Sequence, residues 1–551
     1  MNTYNLFRYL LIAGICIFQV HILNAQDTDV ILSSIQKEVN RSKSELKIDK
    51  LQPPFFISYA VIETKYMNVT ASLGSLLNSS QSSRRAGNPF LLVGDYDRNN
   101  IGPRNMFSYP KTICIENDPT GIATAIWQDL DDQYKNAAEG YEAKMSTIRQ
   151  LNIPEEDLAV VDFEKKEPVQ MILPTTDYKQ DKPYWEEFAK KVSAALQKYP
   201  DLTNSSVNVY SNNITCYYYN TENSQYALSE PYYRVTLNVE ATTQDGQTLM
   251  DNFSVEHRAL ELMPDIETFT KSCESFTESF LQLLDAPMID DAYCGPVLFE
   301  SQPLVESIYR FFMNQQTLFA TPKPIGGGFM NNLELKMNKK VISRSLSIKS
   351  ITGLQTYDGL TLEGHYPIDF EGVVPEKEFF LIENGVLKSL LNRRTPTKKV
   401  PASNGHYRLN INSMSPQITP GNILFSSNET FPKAELKNKL IEAAKGEDLD
   451  YAYIVRRMSG NSVMTYKVYV DDGREELVRG AVLDGFALNS FKRMIGAASE
   501  NVAINFSGYN ALATFVVPDG IIFEELDITK NGNLNLNTPF SIPKPVMTVE
   551  Y

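Results

Sequence analysis

Four times along this chain an Asx–Gly pair stands between two runs of strand-forming residues, and that recurrence constrains the fold more than any other feature. Asn and Asp tolerate the left-handed conformation and Gly favours it, so these pairs close tight hairpins whose twist matches the flanking strands. Val235, Leu237, Val239 and Ala241 alternate with polar residues, and Gln244-Asp-Gly246 turns the chain back into Leu249–Val255. Asn384-Gly385 separates Phe379–Ile382 from Val386–Leu391, and Asp472-Gly473 separates Tyr466–Val470 from Glu475–Val478. Asp519-Gly520, with Pro518 presetting the turn, joins Ala513–Val517 to Ile521–Leu526. Each pattern predicts antiparallel neighbours.

Between these runs the apolar period changes from two to 3.6. Helices are expected over Asp27–Leu46, Ala123–Leu151 (Ile126, Leu130, Tyr134, Tyr141) and from Lys182 to before Pro200 (Trp185, Phe188, Val192, Leu196). Three more are expected over Asp265–Asp285, Pro303–Gln316 and Pro432–Ala444, the last ended by Gly446 as a left-handed cap. Phe55–Val93 is strand-like, with Ile57, Tyr59, Val61 and Glu63 on one parity. Val207–Tyr210 and Ile214–Tyr219 read as two short strands with Ser211–Asn213 as their turn. Helices and antiparallel strands segregated in this way give an α+β class, with helices packed on antiparallel sheets and a hairpin-rich C-terminal half. Pro287 stops a helix, so the expected division is an N-terminal α+β domain at 26–290 and a β-rich domain at 291–551.

Residues 1–25 have the order of an export signal: Arg8, an apolar core from Tyr9 to Phe18, and the small residue Ala25, with cleavage expected before Gln26. Gln19 and His21 hold the apolar run below the ~20 residues that a membrane span needs, and no second stretch of that length follows. The mature chain is therefore expected to be periplasmic or secreted, with no span. A net charge of −15 and the lack of a long Lys/Arg run exclude a sequence-independent grip on nucleic acid.

The chain is poorly supplied with metal ligands. Beyond the signal it has Cys114, Cys216, Cys273 and Cys294, with no Cys-x-x-Cys pair, and three well-separated histidines. No His-Glu-x-x-His occurs. His257 follows Glu256 in an alternating strand, where neighbours point to opposite faces, so a structural role is expected for it. His365 and His406 fall in loops, where solvated imidazoles are expected. Ser459-Gly460 and Ser507-Gly508 lack the flanking glycine of a nucleophile elbow. Asp290-Asp291 could hold a cation, whereas Asp471-Asp472 is explained by turn chemistry. Gly326-Gly-Gly328 lacks the Gly-Lys-Ser/Thr ending of a nucleotide loop and reads as a linker. These features assign no reaction.

Ala292-Tyr-Cys-Gly-Pro-Val-Leu-Phe-Glu300 resembles the Gly-Pro-Val-Leu-Phe-Glu signature that opens the C-terminal domain of the TldD/PmbA metallopeptidase family. Asp369-Phe-Glu-Gly372, followed by Phe380-Leu-Ile-Glu-Asn-Gly-Val-Leu-Lys388, resembles that family's Asp-x-Glu-Gly segment and hairpin. Ser403-Asn-Gly-His-Tyr-Arg408 resembles its small-Gly-x-x-Arg turn, and Asn220–Asn223 with the Asp245-Gly246 hairpin resembles its N-domain strands. The resemblance implies peptide processing by TldD-type and PmbA-type subunits. In the TldD type, zinc is held by His-Glu-x-x-x-His on the helix after the signature and by a Cys near the C-terminus. Here Tyr309, Arg310 and Asn314 stand in the His, Glu and His places, and no Cys follows Cys294.

The resemblance therefore implies a degenerate site without metal or other cofactor, no assigned catalytic residue, and a PmbA-type role as the non-metal-binding partner. It also implies a peptide or unfolded-protein substrate, and a homodimer or a heteromer with a metal-bearing paralogue. Two other readings stay open: an active peptidase with an unrecognised catalytic set, and an exported peptide-binding or scaffold protein without activity.

Overall fold

A computed structural model describes residues 30–102, 110–153, 158–174, 178–289, 291–314, 317–321, 333–411, 413–459, 462–508 and 511–531. The expected signal at 1–25, Asp290, Gly460 and Gly326–Gly328 lie outside them. The architecture is α+β.

In the first half, helix α1 (residues 30–45) buries Ile31, Leu32, Ile35 and Val39 on one face. Strands β1 (Pro54–Ser72) and β2 (Ser75–Val93) form a long hairpin, turned at Leu73-Gly74 with both φ angles positive. β3 (Lys111–Thr112), α2 (Pro119–Leu151), β4 (Gln170–Ile172) and α3 (Lys182–Ala195) follow, then β5 (Leu202–Asn220), β6 (Gln225–Thr242), β7 (Thr248–His257) and α4 (Ile266–Leu281). The seven strands make one sheet in the order β3-β2-β1-β5-β6-β4, with β7 also on β6. Strand alternation decides what each face does. Odd-numbered Ile57, Tyr59 and Val61 pack under α2, and Val207, Val209 and Val235 pack under α3 and α4. Even-numbered Ala60, Ile62, Ile214, Cys216 and Tyr218 face the other way and meet Ile368, Phe370 and Tyr407 of the second half.

The expected turn at Ser211–Asn213 does not exist. β5 runs through it in unbroken register with β1 and β6, because tertiary partners take the polar side chains: Ser211 receives a hydrogen bond from Tyr178 and Asn212 donates to Ile411 O.

The second half begins with β8 (Tyr293–Phe299) and α5 (Ser301–Ile308). β9 (Leu346–Ser350), β10 (Thr356–Tyr357), β11 (Leu360–Thr361), β12 (Phe379–Glu383), β13 (Val386–Leu387), β14 (Tyr407–Leu409), β15 (Pro416–Ile418), β16 (Asn422–Ser427) and β17 (Thr430–Phe431) lead to α6 (Lys433–Gly446). The remaining strands are β18 (Tyr451–Ser459), β19 (Ser462–Tyr469), β20 (Glu475–Val478), β21 (Ala481–Asp484), β22 (Met494–Ala498), β23 (Asn501–Phe506), β24 (Ala513–Pro518) and β25 (Ile521–Lys530). One sheet has the order β13-β12-β9-β16-β24-β23. In the other, β8 pairs with both β18 and β25, so β8, β18, β19, β21 and β25 close into a ring. The two sheets and α5 share one core that includes Phe299, Ile308, Ile348, Phe425 and Phe523.

The hairpins at Asn384-Gly385 and Asp472-Gly473 form as the sequence predicts. Asp519-Gly520 does not close a hairpin: β24 and β25 belong to different sheets, and the turn carries the chain between them. Gly446 is the last residue of α6 rather than its left-handed cap. Asp448 takes the positive φ instead.

Candidate functional site

Helix α5 starts after Glu300 and buries Leu304, Val305 and Ile308. Its opposite stripe, Gln302, Glu306 and Arg310 at four-residue spacing, is polar and half-buried. Gln302 clamps β18, accepting from Met458 N at 3.0 Å and donating to Met458 O at 3.3 Å, and it lies 3.4 Å from the Glu306 carboxylate. Burial pushes the Glu306 carboxyl up to about 7.

At Tyr309 the α-helix becomes a π-helical turn that runs to Asn314. Positions five apart lie about 140° apart around an α-helix. The i→i+5 bonding of a π turn brings them one turn above each other. The turn thus suits a ligand pair at 309 and 314, but the side chains do not. Tyr309 is buried, its ring 4.7 Å from that of Phe506. Gly508 backs it so closely that a Cβ there would lie 2.5 Å from the tyrosine ring. The Arg310 guanidinium lies over the Phe311 ring at 5.3 Å, and Asn314 is exposed. A phenol packed on phenylalanine, a permanent cation and an exposed amide do not fit zinc, which takes thiolate, imidazole and carboxylate. Among the described residues no group of three His, Cys, Asp or Glu is arranged to hold a metal.

The second candidate region is the seam between the halves. Asp369 caps a turn, accepting from the backbone N–H groups of Glu371 and Val373 at 2.9 Å and of Tyr407 at 3.2 Å. Burial, with Glu371 close by, raises its carboxyl. Glu371 binds the Arg393 guanidinium and the backbone N–H of Arg394. Arg408 donates to Pro420 O at 2.7 Å and Leu512 O at 3.1 Å and stacks on Tyr366, and burial lowers its pKa. These family-like segments are therefore framework residues of the seam. Beside them Glu230 pairs with Arg258 at 2.8 Å in a cleft also lined by Asn212, Tyr232, Arg408 and Leu512. Glu256 connects this cleft to the turn after α5. It accepts from Tyr232 at 2.6 Å and from the backbone N–H of Ser507, next to the glycine that backs Tyr309.

The cleft offers fixed charge and hydrogen bonds but no activated nucleophile. Burial pushes Cys216 and Cys273 up to about 12, and Asp527, burial and Glu525 push Cys294 up to about 11, so these three stay thiols at neutral pH. His257 and Glu256 bind different partners, His257 Nδ1 meeting Glu363 at 2.9 Å. His365 Nδ1 lies 2.9 Å from Thr352 O. His406 corrects the expectation of a solvated loop residue: it is fully buried against Ser350, Thr352 and Asn404, and burial lowers it to about 3. Asp471-Asp472 sits in the β19–β20 turn, as its composition suggests. Sequence reasoning missed Glu306, whose position on a helical stripe carries no chemical signal, and the Glu230, Arg258 and Arg408 constellation, which only the tertiary fold assembles.

Residues 329–530 match the PmbA/TldA metallopeptidase C-terminal domain. That segment is a C-terminal domain of the TldD/PmbA type. Most of the chain follows the fold of three solved structures. Against TldE from Thermococcus kodakarensis the TM-score is 0.57 at 14% identity, covering 90% of this chain and 100% of that one. A proposed DNA gyrase modulator from Thermotoga maritima gives 0.55 at 15%, covering 86% and 96%. Another, from Bacteroides thetaiotaomicron, gives 0.57 at 11%, covering 90% and 98%. At these identities the likeness shows the fold alone. No curated protein matches the chain.

Proposed function

We propose that this TldD/PmbA-family chain is an exported subunit of the PmbA type, which holds or admits peptides and supplies no metal of its own. The observation that carries this reading is the turn at 309–314. It keeps a geometry suited to a ligand pair but fills it with a buried phenol, a guanidinium and an exposed amide. A scaffold retained without metal ligands serves assembly and substrate handling. The subunit works as a homodimer or beside a metal-bearing relative, after cleavage between Ala25 and Gln26.

The test uses mature protein from its native host. Mass spectrometry is expected to find Gln26 at the N-terminus, and elemental analysis after dialysis no stoichiometric zinc. Peptidase assays are expected to show hydrolysis only with a co-purifying relative present. One zinc per chain, or peptide hydrolysis by the chain alone, refutes the reading.

A further inference from the structure

Among the described residues, β2 has a long sheet edge without the usual protection. Edge strands are blunted by shortness, lysine, proline, bulges or a covering element, because an open edge pairs with other chains. Edge strands β13 and β17 have two residues each. β7 is held against the second half through Asp251–Arg457 and Glu256–Ser507, and β23 lies against β7 and β11. β2 has 19 residues, and its outer side meets β3 only at Ala86 and Gly87.

The parity of that edge can be read from one bond. Ile113 N donates to Arg85 O at 3.1 Å, so the backbone of Arg85 points outward, and with it those of Ser83, Gln81 and Ser79. Their outward N–H and C=O groups have no hydrogen-bond partner among the described residues. From Asn78 to Ser83 the edge holds no proline, no charged side chain and no bulge; the register shift at Leu77 comes before it and Arg84 ends it. The side chains from Gln81 to Arg84 are all exposed.

We propose that this edge pairs antiparallel with the same segment of a second copy, joining two seven-stranded sheets across a two-fold axis at Gln81. The segment Asn78-Ser-Ser-Gln-Ser-Ser-Arg84 reads almost the same in both directions, as an isologous contact requires. With the axis at Gln81, Ser79 faces Ser83 of the partner subunit, Ser80 faces Ser82 of the partner subunit, and Asn78 faces Arg84 of the partner subunit. The three outward residues form hydrogen-bonded pairs, about six new backbone bonds at two per pair. Small side chains meet small ones, and no like charges oppose. This inference rests on the assembly part of the function proposed above and names its surface.

The experiment is sedimentation equilibrium on the mature chain. A dimer is expected. Gln81→Pro, which removes an outward N–H at a position where an edge tolerates proline, should raise its dissociation constant at least tenfold with unchanged circular dichroism. Gln81→Lys sets two ammonium groups face to face and should do the same. Gln81→Cys should cross-link to itself on mild oxidation, since Cα atoms of such a pair lie about 5.5 Å apart, whereas Leu77→Cys should not. A monomeric wild type overturns the proposal, as does a dimer indifferent to both Gln81→Pro and Gln81→Lys. So does a monomer whose β2 amides gain exchange protection only with added peptide, which would make the occupant a peptide strand. A metal-free monomer sinks this surface and leaves the metal-free reading standing; a zinc-bearing dimer does the reverse.

Discussion

Glu306→Gln is expected to stabilise the protein above neutral pH and to change it little near pH 5. Burial beside β18 raises the Glu306 carboxyl from an ordinary 4.5 to about 7. For an acid raised in this way, the folded chain keeps a proton that the unfolded chain has already lost. Unfolding therefore releases a proton between the two values, and stability falls as pH climbs from 4.5 toward 7 before levelling. From 4.5 to about 7, at about 1.4 kcal/mol per pH unit, ionised Glu306 costs roughly 3–3.5 kcal/mol well above pH 7. Gln has nearly the same shape, keeps a partner for Gln302 and does not titrate. Urea unfolding of wild type and variant at pH 5 and pH 8, with a probe on α5, measures the difference. The curves should differ by less than about 1 kcal/mol at pH 5, and the variant should gain roughly 3 kcal/mol at pH 8. An equal gap at both pH values, or a loss at pH 8, would refute the burial argument.

Arg394 is buried, stacks on Phe163 at 4.2 Å, pairs with Glu222 at 2.7 Å and donates to Glu164 O. Arg394→Met strands the buried Glu222 carboxylate and should cost about 3–5 kcal/mol in denaturant unfolding, with Glu222→Gln restoring part of it. Gly405 has φ +76° and a Cβ there would lie 2.7 Å from Pro375 Cα, so Gly405→Ala should lose more stability than Gly359→Ala. Gly359 has a similar φ but open space around it, and there the loss should be about 1 kcal/mol. His406 should show no titration between pH 5 and 8 by ring NMR, because burial holds it neutral down to about 3. A midpoint inside that range would contradict its buried setting.

Local chemistry was legible wherever it decided the structure by itself. Asn384-Gly385 makes its hairpin because both residues take the positive φ that the turn demands. The stripe of Trp185, Phe188 and Val192 makes α3 because it has the right period and a sheet to meet. Local signals failed where a distant segment supplies the partner. Ser211–Asn213 reads as a turn until Tyr178 and Ile411 satisfy its side chains inside β5. Asp519-Gly520 has hairpin chemistry, but the strands it joins find other neighbours. The candidate site divides in the same way. Tyr309, Arg310 and Asn314 could be placed by register on a helix, whereas the π turn, the packing on Phe506 and the raised Glu306 carboxyl depend on what surrounds that helix.

The closed ring of β8, β18, β19, β21 and β25 also governs when the second half can fold. Its first strand, Tyr293–Phe299, pairs with its last, Ile521–Lys530. Closure must therefore wait until residue 530 is available, and the long connection between the two strands makes this a slow, non-local step. Until then Val297 and Phe299, both fully buried in the finished core, have no β25 to lie against. The first sheet needs nothing beyond His257 to complete its own ladder. A chain delivered from its N-terminus would thus present a formed first half and an apolar strand awaiting its partner, and that strand is where misassociation with other chains would begin.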